Sequence, residues 1–258
     1  MLVNACYVSH TGKVRHHNED SLLLNDLLIS GADVEEVKCL QSEEERHIFI
    51  VADGMGGHQK GEVASRTVLT AFKDKYGQAN NKEDIMEIMR LAREELNRIV
   101  EDDEHSYGLG TTIAGILIVE DRALIFSCGD SRIYHLRGDS LERITKDHSC
   151  VQELVDAGVI AEDEMRSHPQ RNVITSSLTG DGRRGLPEIE MKELPVAKGQ
   201  KFLLCSDGLW ESMRLDAMEE CYSNRYQKEI VECLYEKTMK SGARDNLSVI
   251  ALEIGGFG

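Results

Sequence analysis

No apolar run in the 258-residue sequence approaches the ~20 residues a membrane-spanning helix needs, so no transmembrane segment is expected. The opening Met1-Leu2-Val3-Asn4-Ala5-Cys6 lacks the basic start and apolar stretch of a signal peptide. There is no Cys-x-x-Cys pair either. The seven cysteines, at 6, 39, 128, 150, 205, 221 and 233, are scattered and odd in number. That usage points to a reducing compartment, the cytoplasm, and away from zinc or a disulfide framework. No cysteine sits in a Gly-rich phosphate loop ending in arginine, which argues against cysteine nucleophile chemistry. With three prolines, and no internal repeat, Pro-rich linker or low-complexity tract, a single domain over 1–258 is expected. Basic residues are in deficit, 30 against 46 acidic, for a formal charge of −16. A field of that sign repels nucleic acid and anionic membranes, so neither is an expected partner.

What remains is an ordinary globular composition, 41% apolar and 29% charged, carrying one unusual pattern. Three short apolar strands each run into an aspartate followed by glycine or serine: His47 to Asp53-Gly54, Ala123 to Asp130-Ser131, and Lys201 to Asp207-Gly208. A buried strand with a carboxylate at its exit sets hard oxygen ligands on a rigid rim. Several such rims together suit Mg²⁺ or Mn²⁺. Asp-Gly is also a hairpin signal. That reading suits Asp130, since Ser131-Arg132 leads into Ile133-Tyr134-His135-Leu136. It does not suit Asp53 or Asp207, which are followed by a Gly-rich turn or a helix start.

Along the chain, strands are expected around 5–9 and 21–25, with 31–46 as an acidic, solvated connector. Helical spacing covers 62–76 and 83–101. Two long strands, 111–119 and 122–128, meet at a hairpin at Glu120-Asp121, and shorter strands follow through Leu136 and Ile144. A short helix spans 151–157, and 159–186 reads as an irregular excursion. Helices near Leu209 and over 225–240 precede a last strand, Leu247 to Ile254. Strand and helix do not alternate, which argues against a doubly wound parallel sheet. Two antiparallel sheets face to face, with helix pairs outside, would bury every apolar stripe. The expected class is α+β.

Further clusters surround the strand-end aspartates: Arg15-His16-His17-Asn18-Glu19-Asp20, Gly110-Thr111-Thr112 and Asp245-Asn246-Leu247-Ser248. Together with Val51 to His58, Gly129 to Arg132, Asp147-His148-Ser149, Arg171 to Thr175 and Ser206 to Trp210, the chain resembles the metal-dependent serine/threonine protein phosphatases, the type 2C family, in its bacterial form. The resemblance runs from Tyr7 to Glu253. It implies a four-layer αββα sandwich with the metal site at one end.

Carried over by position, the resemblance makes Asp53 the carboxylate bridging two ions and gives the Gly54 carbonyl to the second. Asp207 and Asp245 would hold the first ion, and Glu19 and Asp20 would act through bound waters. Asp130 with Asp207 would hold a third, weaker ion. The reaction implied is metal-assisted hydrolysis of a phosphate monoester by an activated water, without a covalent phosphoenzyme. Arg15 would clamp the phosphate as a bidentate partner, or alternatively pair with Glu19 or Asp20 at the surface. Met55 stands where many eukaryotic relatives carry a histidine. His58 is the candidate general acid, with helix capping as its alternative. Residues 149–170 correspond to a flap beside the site, or are simply a surface loop. Trp210 is expected to anchor its helix.

The expectation is therefore a cytoplasmic, monomeric phosphatase using Mn²⁺ or Mg²⁺ on phosphoserine and phosphothreonine in proteins, opposed by a eukaryotic-like serine/threonine kinase. A pseudophosphatase acting as a binding module, and a phosphatase for small-molecule phosphates, are the alternatives.

Overall fold

The computed structural model describes residues 1–56, 60–182, 185–223 and 225–255. Its centre is two antiparallel sheets stacked face to face. One, in the order β10-β9-β13-β14-β1-β4, is built from β1 (Val3–His10), β4 (Val34–Ser42), β9 (Arg132–Arg137), β10 (Ser140–Arg143), β13 (Lys201–Cys205) and β14 (Leu247–Ile254). The other, in the order β11-β6-β5-β7-β8-β12, contains β5 (Arg46–Met55), β6 (Gly110–Thr111), β7 (Ile113–Val119), β8 (Arg122–Cys128), β11 (Leu178–Thr179) and β12 (Glu190–Pro195). Strand β2 (Asp20–Leu24) joins this second sheet on β5, and β3 (Leu27–Ser30) pairs with β2.

The central strands are apolar on both faces, which is why they read as unbroken hydrophobic runs. On β5, Phe49 and Val51 enter the core between the sheets, while Ile48, Ile50 and Ala52 face α1 (Lys60–Lys75) and α2 (Lys82–Asp102). On β14, Ile250, Leu252 and Ile254 enter the same inter-sheet core. Val249 and Ala251 face α5 (Leu215–Tyr222) and α6 (Gln227–Ser241) on the opposite side. The result is the expected αββα stack. Two short helices complete it: α3 (Cys150–Asp156) and α4 (Asp207–Trp210). Among the described residues no helix is long and apolar enough to cross a membrane.

Several expectations are corrected. The acidic connector contains a strand, β4, paired along β1 from Val3↔Ser42 to Ser9↔Val34. Only Val37 of β4 is buried, and its exposed Glu35, Glu36 and Lys38 disguise an edge strand as a loop. Asp130 does not sit in a hairpin turn. Strand β8 pairs with β7 and β12, whereas β9 pairs with β10 and β13, so residues 129–131 cross between sheets. Edge strand β12 and helix α5 are not among the expected elements: β12 has no buried residue, and α5 is short although Met218, Cys221 and Tyr222 line one buried face. The 159–186 excursion is irregular as expected apart from a 3₁₀ segment, Glu162–Ser167, and the short strand β11, which pairs with β6 at the sheet edge.

The cysteine reading is overturned in part. Cys6–Cys39 and Cys221–Cys233 are disulfides. Cys6 and Cys39 are remote in sequence but directly opposite on β1 and β4, and the second bond ties α5 to α6. Register and helix packing, invisible in spacing alone, bring the partners together. Cys128 and Cys205 are buried and free, as expected of small apolar core residues.

Candidate metal centre

The carboxylates gather at one end of the sandwich because strands of both sheets start or stop there. Asp20 opens β2 and lies directly opposite Asp53 near the end of β5. Asp207 follows β13 as the first residue of α4. Asp245 precedes β14, and Asp130 lies where the chain crosses from β8 to β9.

Hydrogen bonds from neighbouring residues fix several of these segments. The Asp53 amide donates to Thr112 Oγ1 at 3.1 Å, and its carbonyl accepts from the Thr112 amide and the Thr111 hydroxyl, both at 2.9 Å. Thr112 Oγ1 also meets Ser131 Oγ at 2.7 Å, joining the Asp53 and Asp130 segments. Ser206 Oγ donates to Asp20 Oδ2 at 2.8 Å and accepts from the Ser248 amide at 3.0 Å. Asn246 accepts from the Glu19 amide at 2.9 Å and donates to the carbonyls of Thr11 and His17 at 2.8 and 2.9 Å. It thereby straps the loop bearing Arg15 and Glu19 to the start of β14.

Electrostatically the site is a crowd of like charges. Burial first, then the charges of Asp20, Asp207, Asp130 and Asp245, push the Asp53 carboxyl well above its usual range. Asp207 is raised in the same way, by burial and then by Asp130 and Asp245. Burial carries Asp20 up to about 7 against the pull of Ser206 and Ser248. It carries Asp130 up to about 7 as well, with Asp147 adding to the rise. Asp20 Oδ1 and Asp207 Oδ1 are buried with no hydrogen-bond partner. Hard, acceptor-only oxygens held away from water and short of donors fit divalent Mg²⁺ or Mn²⁺. Arg15 is a cation at this rim, its Nη2 2.6 Å from Asp245 Oδ2.

The structure thus brings together Arg15, Glu19, Asp20, Asp53, Gly54, Asp130, Asp207 and Asp245. Arg15 pairs with Asp245 and not with Glu19 or Asp20. His58 lies outside the described residues. Trp210 is buried as an anchor, its indole N–H donating to the Asp130 carbonyl at 3.0 Å. His148 is structural: its Nδ1 accepts from the Gly129 amide at 3.2 Å. Sequence reasoning missed Glu211, a carboxylate raised by burial that lies one helical turn beyond Asp207. The i+4 spacing was its only signal. Asn246 as a strap was also missed.

No three of these carboxylates bring oxygens within 4.8 Å of one another; among the described residues the set that does is His10, Asp33 and Glu35. The open arrangement suits ions that keep much of their water shell. In the His10 set, His10 and Asp33 are each held by neighbouring groups, Asp33 accepting from the Thr11 amide and hydroxyl at 2.8 and 2.7 Å. His10 Nδ1 accepts from the Gly12 amide at 2.8 Å, which leaves the ring proton on Nε2, facing Asp33.

Comparison with known proteins bears on this geometry. The sequence profile described as Protein phosphatase 2C matches residues 36–248. A serine/threonine phosphatase, stp, of Listeria innocua is 30% identical over 97% of this chain and 96% of its own length. The serine/threonine protein phosphatase PstP of Mycobacterium tuberculosis is 34% identical over 95% of this chain and 44% of its own, longer, sequence. Its crystal structure superposes with a TM-score of 0.82 at 31% identity, covering 99% of this chain and 100% of that one. The PstP catalytic domain has also been solved with two manganese ions, and there the TM-score is 0.80 at 29% identity. The chain belongs to the protein phosphatase 2C family, the metal-dependent serine/threonine protein phosphatases that use Mn²⁺ or Mg²⁺.

Proposed function

We propose that this chain is an active phosphatase that removes phosphate from phosphoserine and phosphothreonine in proteins. Glu19, Asp20, Asp53, the Gly54 carbonyl, Asp207 and Asp245 would hold two ions, and Asp130 with Asp207 a third. The observation that carries this reading is the pair of buried, unpartnered carboxylate oxygens on Asp20 and Asp207 beside a crowded Asp53. Such a site is costly unless cations fill it. When bound, the ions supply Lewis acidity that activates water near neutral pH and neutralises charge on the phosphate.

The chain's own residues do the rest. The Arg15 guanidinium is half exposed at the rim and would bind the phosphate dianion as a charge-assisted fork. Thr112 and Ser131 hold the Asp53 and Asp130 segments at a fixed spacing, and Asn246 holds the Arg15 loop. The reading extends to a single catalytic domain over 1–258 acting as a monomer, with a serine/threonine kinase as its counterpart.

The test is hydrolysis of a phosphothreonine peptide with Mn²⁺, with EDTA, and with Asp53→Asn. Turnover that needs the metal and disappears in the variant is expected. A folded protein that binds Mn²⁺ yet turns over nothing would instead be a binding module.

A further inference from the structure

Asp130 and Asp207 are each two residues past the same rung of one ladder. Strand β13 pairs with β9 up to Cys205↔Arg132. Beyond that rung no strand pairing sets the distance between the two carboxylates. What closes the gap is a side-chain clasp. Trp210, one turn along α4 from Asp207, donates its indole N–H to the Asp130 carbonyl at 3.0 Å. The Arg132 guanidinium lies over the Trp210 ring, its central carbon 3.6 Å from the ring centroid. Arg132 is in turn held flat by Asp147: Nε lies 3.0 Å from Oδ1 and Nη2 2.6 Å from Oδ2. Arg132 Nη1 reaches Tyr134 Oη at 3.3 Å. Arg143 Nη1 meets Asp147 Oδ2 from the other side at 3.3 Å, and Arg143 Nη2 donates to Gln152 Oε1 at 2.9 Å.

Asp147 is 3% exposed and Arg132 9%. A buried ion pair of this kind is a poor way to gain stability, because apolar residues of equal volume serve as well or better. It is an effective way to fix one orientation, since a planar guanidinium forked on a carboxylate and stacked on an indole has little freedom left.

We propose that Asp147 is a positioning residue: acting through Arg132 and Trp210, it sets the spacing of Asp130 and Asp207 and hence the affinity of the cation those two carboxylates share. The proposal rests on the metal assignment made under Proposed function. Asp147 itself touches neither substrate nor ion. Asp207 also serves the first ion, but that ion keeps Asp53 and Asp245 as ligands, whereas the third has only Asp130 beside Asp207. It is the Asp130 carbonyl that the clasp holds, so loosening the clasp should weigh on the third ion far more than on the other two.

Trp210 is the only tryptophan in the sequence, so its emission reports the clasp directly. The experiment titrates the full chain with Mn²⁺ by calorimetry and follows Trp210 fluorescence with Mg²⁺. Wild type is expected to show a tight and a weak class of site, with the emission change tracking the weak class. In Asp147→Asn the weak class should lose at least tenfold in affinity while the tight class stays within twofold. The metal-free emission should also shift toward that of a more solvated indole. Arg143→Gln removes one cation from Asp147 at a partly exposed position and leaves the Arg132 fork in place. It should move the weak class in the same direction by a few-fold, and it answers the question if the Asn variant does not fold. Wild-type weak-site affinity and emission in the folded variants would overturn the proposal while leaving the metal assignment intact. A wild-type chain that binds no Mn²⁺ would overturn both.

Discussion

Asp20 and Asp53 face each other across the β2–β5 ladder, two acids at one rung of a buried sheet. Like charges directly opposite destabilise a strand pair, and here burial removes the water that would screen them. The sheet end is therefore built against its own stability and depends on cations for balance. Mn²⁺ should raise the melting temperature of the wild-type chain saturably. Asp20→Asn or Asp53→Asn should raise metal-free stability by about 1–3 kcal/mol and abolish both the Mn²⁺ effect and turnover. Calorimetric melts with and without Mn²⁺ check this, and a metal-free Asp53→Asn chain less stable than wild type would contradict it.

Arg15 carries a second prediction. Its contact with Asp245 is at the rim, with the arginine side chain about half exposed, so removing it should cost little stability. Charge-assisted hydrogen bonds contribute roughly 1.5–3 kcal/mol, so Arg15→Ala should raise KM for a phosphothreonine peptide by about 10–100-fold. Arg15→Lys should recover only part of this, because an ammonium cannot fork on two oxygens. Steady-state kinetics alongside competition by inorganic phosphate separate the two. Equal KM values for arginine and alanine would remove Arg15 from phosphate binding.

How far these features were legible in the sequence depends on which force placed them. The strands leading to Asp53 and Asp207 and the strand after Asp245 are predominantly apolar, so their existence and their charged ends could be read directly. β4 could not: its one buried residue, Val37, leaves it looking like a solvated segment, and its pairing with β1 is decided by tertiary register. The crossing at Asp130 looked like a hairpin because the two strands it joins are adjacent in sequence. Only the sheet assignment shows that they part company. Asn246, Thr112 and Ser131 lie in motifs that stand out in the sequence, but their partners are distant in sequence, so the contacts they make could not be read from the motifs.

Gly54 has a steric reason to be glycine that the resemblance did not supply. The resemblance assigned it a metal-binding carbonyl. In the fold, a Cβ there would stand 2.1 Å from the Gly61 carbonyl oxygen and 2.6 Å from that of Glu19. Gly208 is equally tight, with a Cβ 2.0 Å from the Asn246 carbonyl oxygen. In both cases the obstacle is backbone, which cannot turn aside as a side chain would. Gly54→Ala and Gly208→Ala should each destabilise by about 1–3 kcal/mol or more and weaken Mn²⁺ binding by displacing the neighbouring ligands. Gly77→Ala, where a Cβ meets nothing within 4 Å, is the control and should be neutral or slightly stabilising. Urea melts of the three variants decide it, and a Gly54→Ala chain as stable as Gly77→Ala would refute the steric reason.

The disulfides give the last prediction. Cys6–Cys39 spans 33 residues and Cys221–Cys233 spans 12. Cross-links of these lengths restrict the unfolded chain by about 4 and about 3 kcal/mol respectively in the loop-entropy treatment. The first bond also pins edge strand β4, which contributes a single buried side chain, so little else replaces it. Reductant should lower the urea midpoint of the wild-type chain, Cys39→Ser more than Cys233→Ser, and neither variant should be as sensitive to reductant as wild type. Asp33, one residue before β4, accepts from the Thr11 amide at 2.8 Å and so ties that strand to the loop carrying Arg15. Loss of the Cys6 bond should therefore raise KM before it lowers kcat, whereas loss of the Cys221 bond should leave KM alone. A urea midpoint indifferent to reductant would show that the pairs are not bonded in solution, and would restore the reduced, cytoplasmic reading of the cysteines.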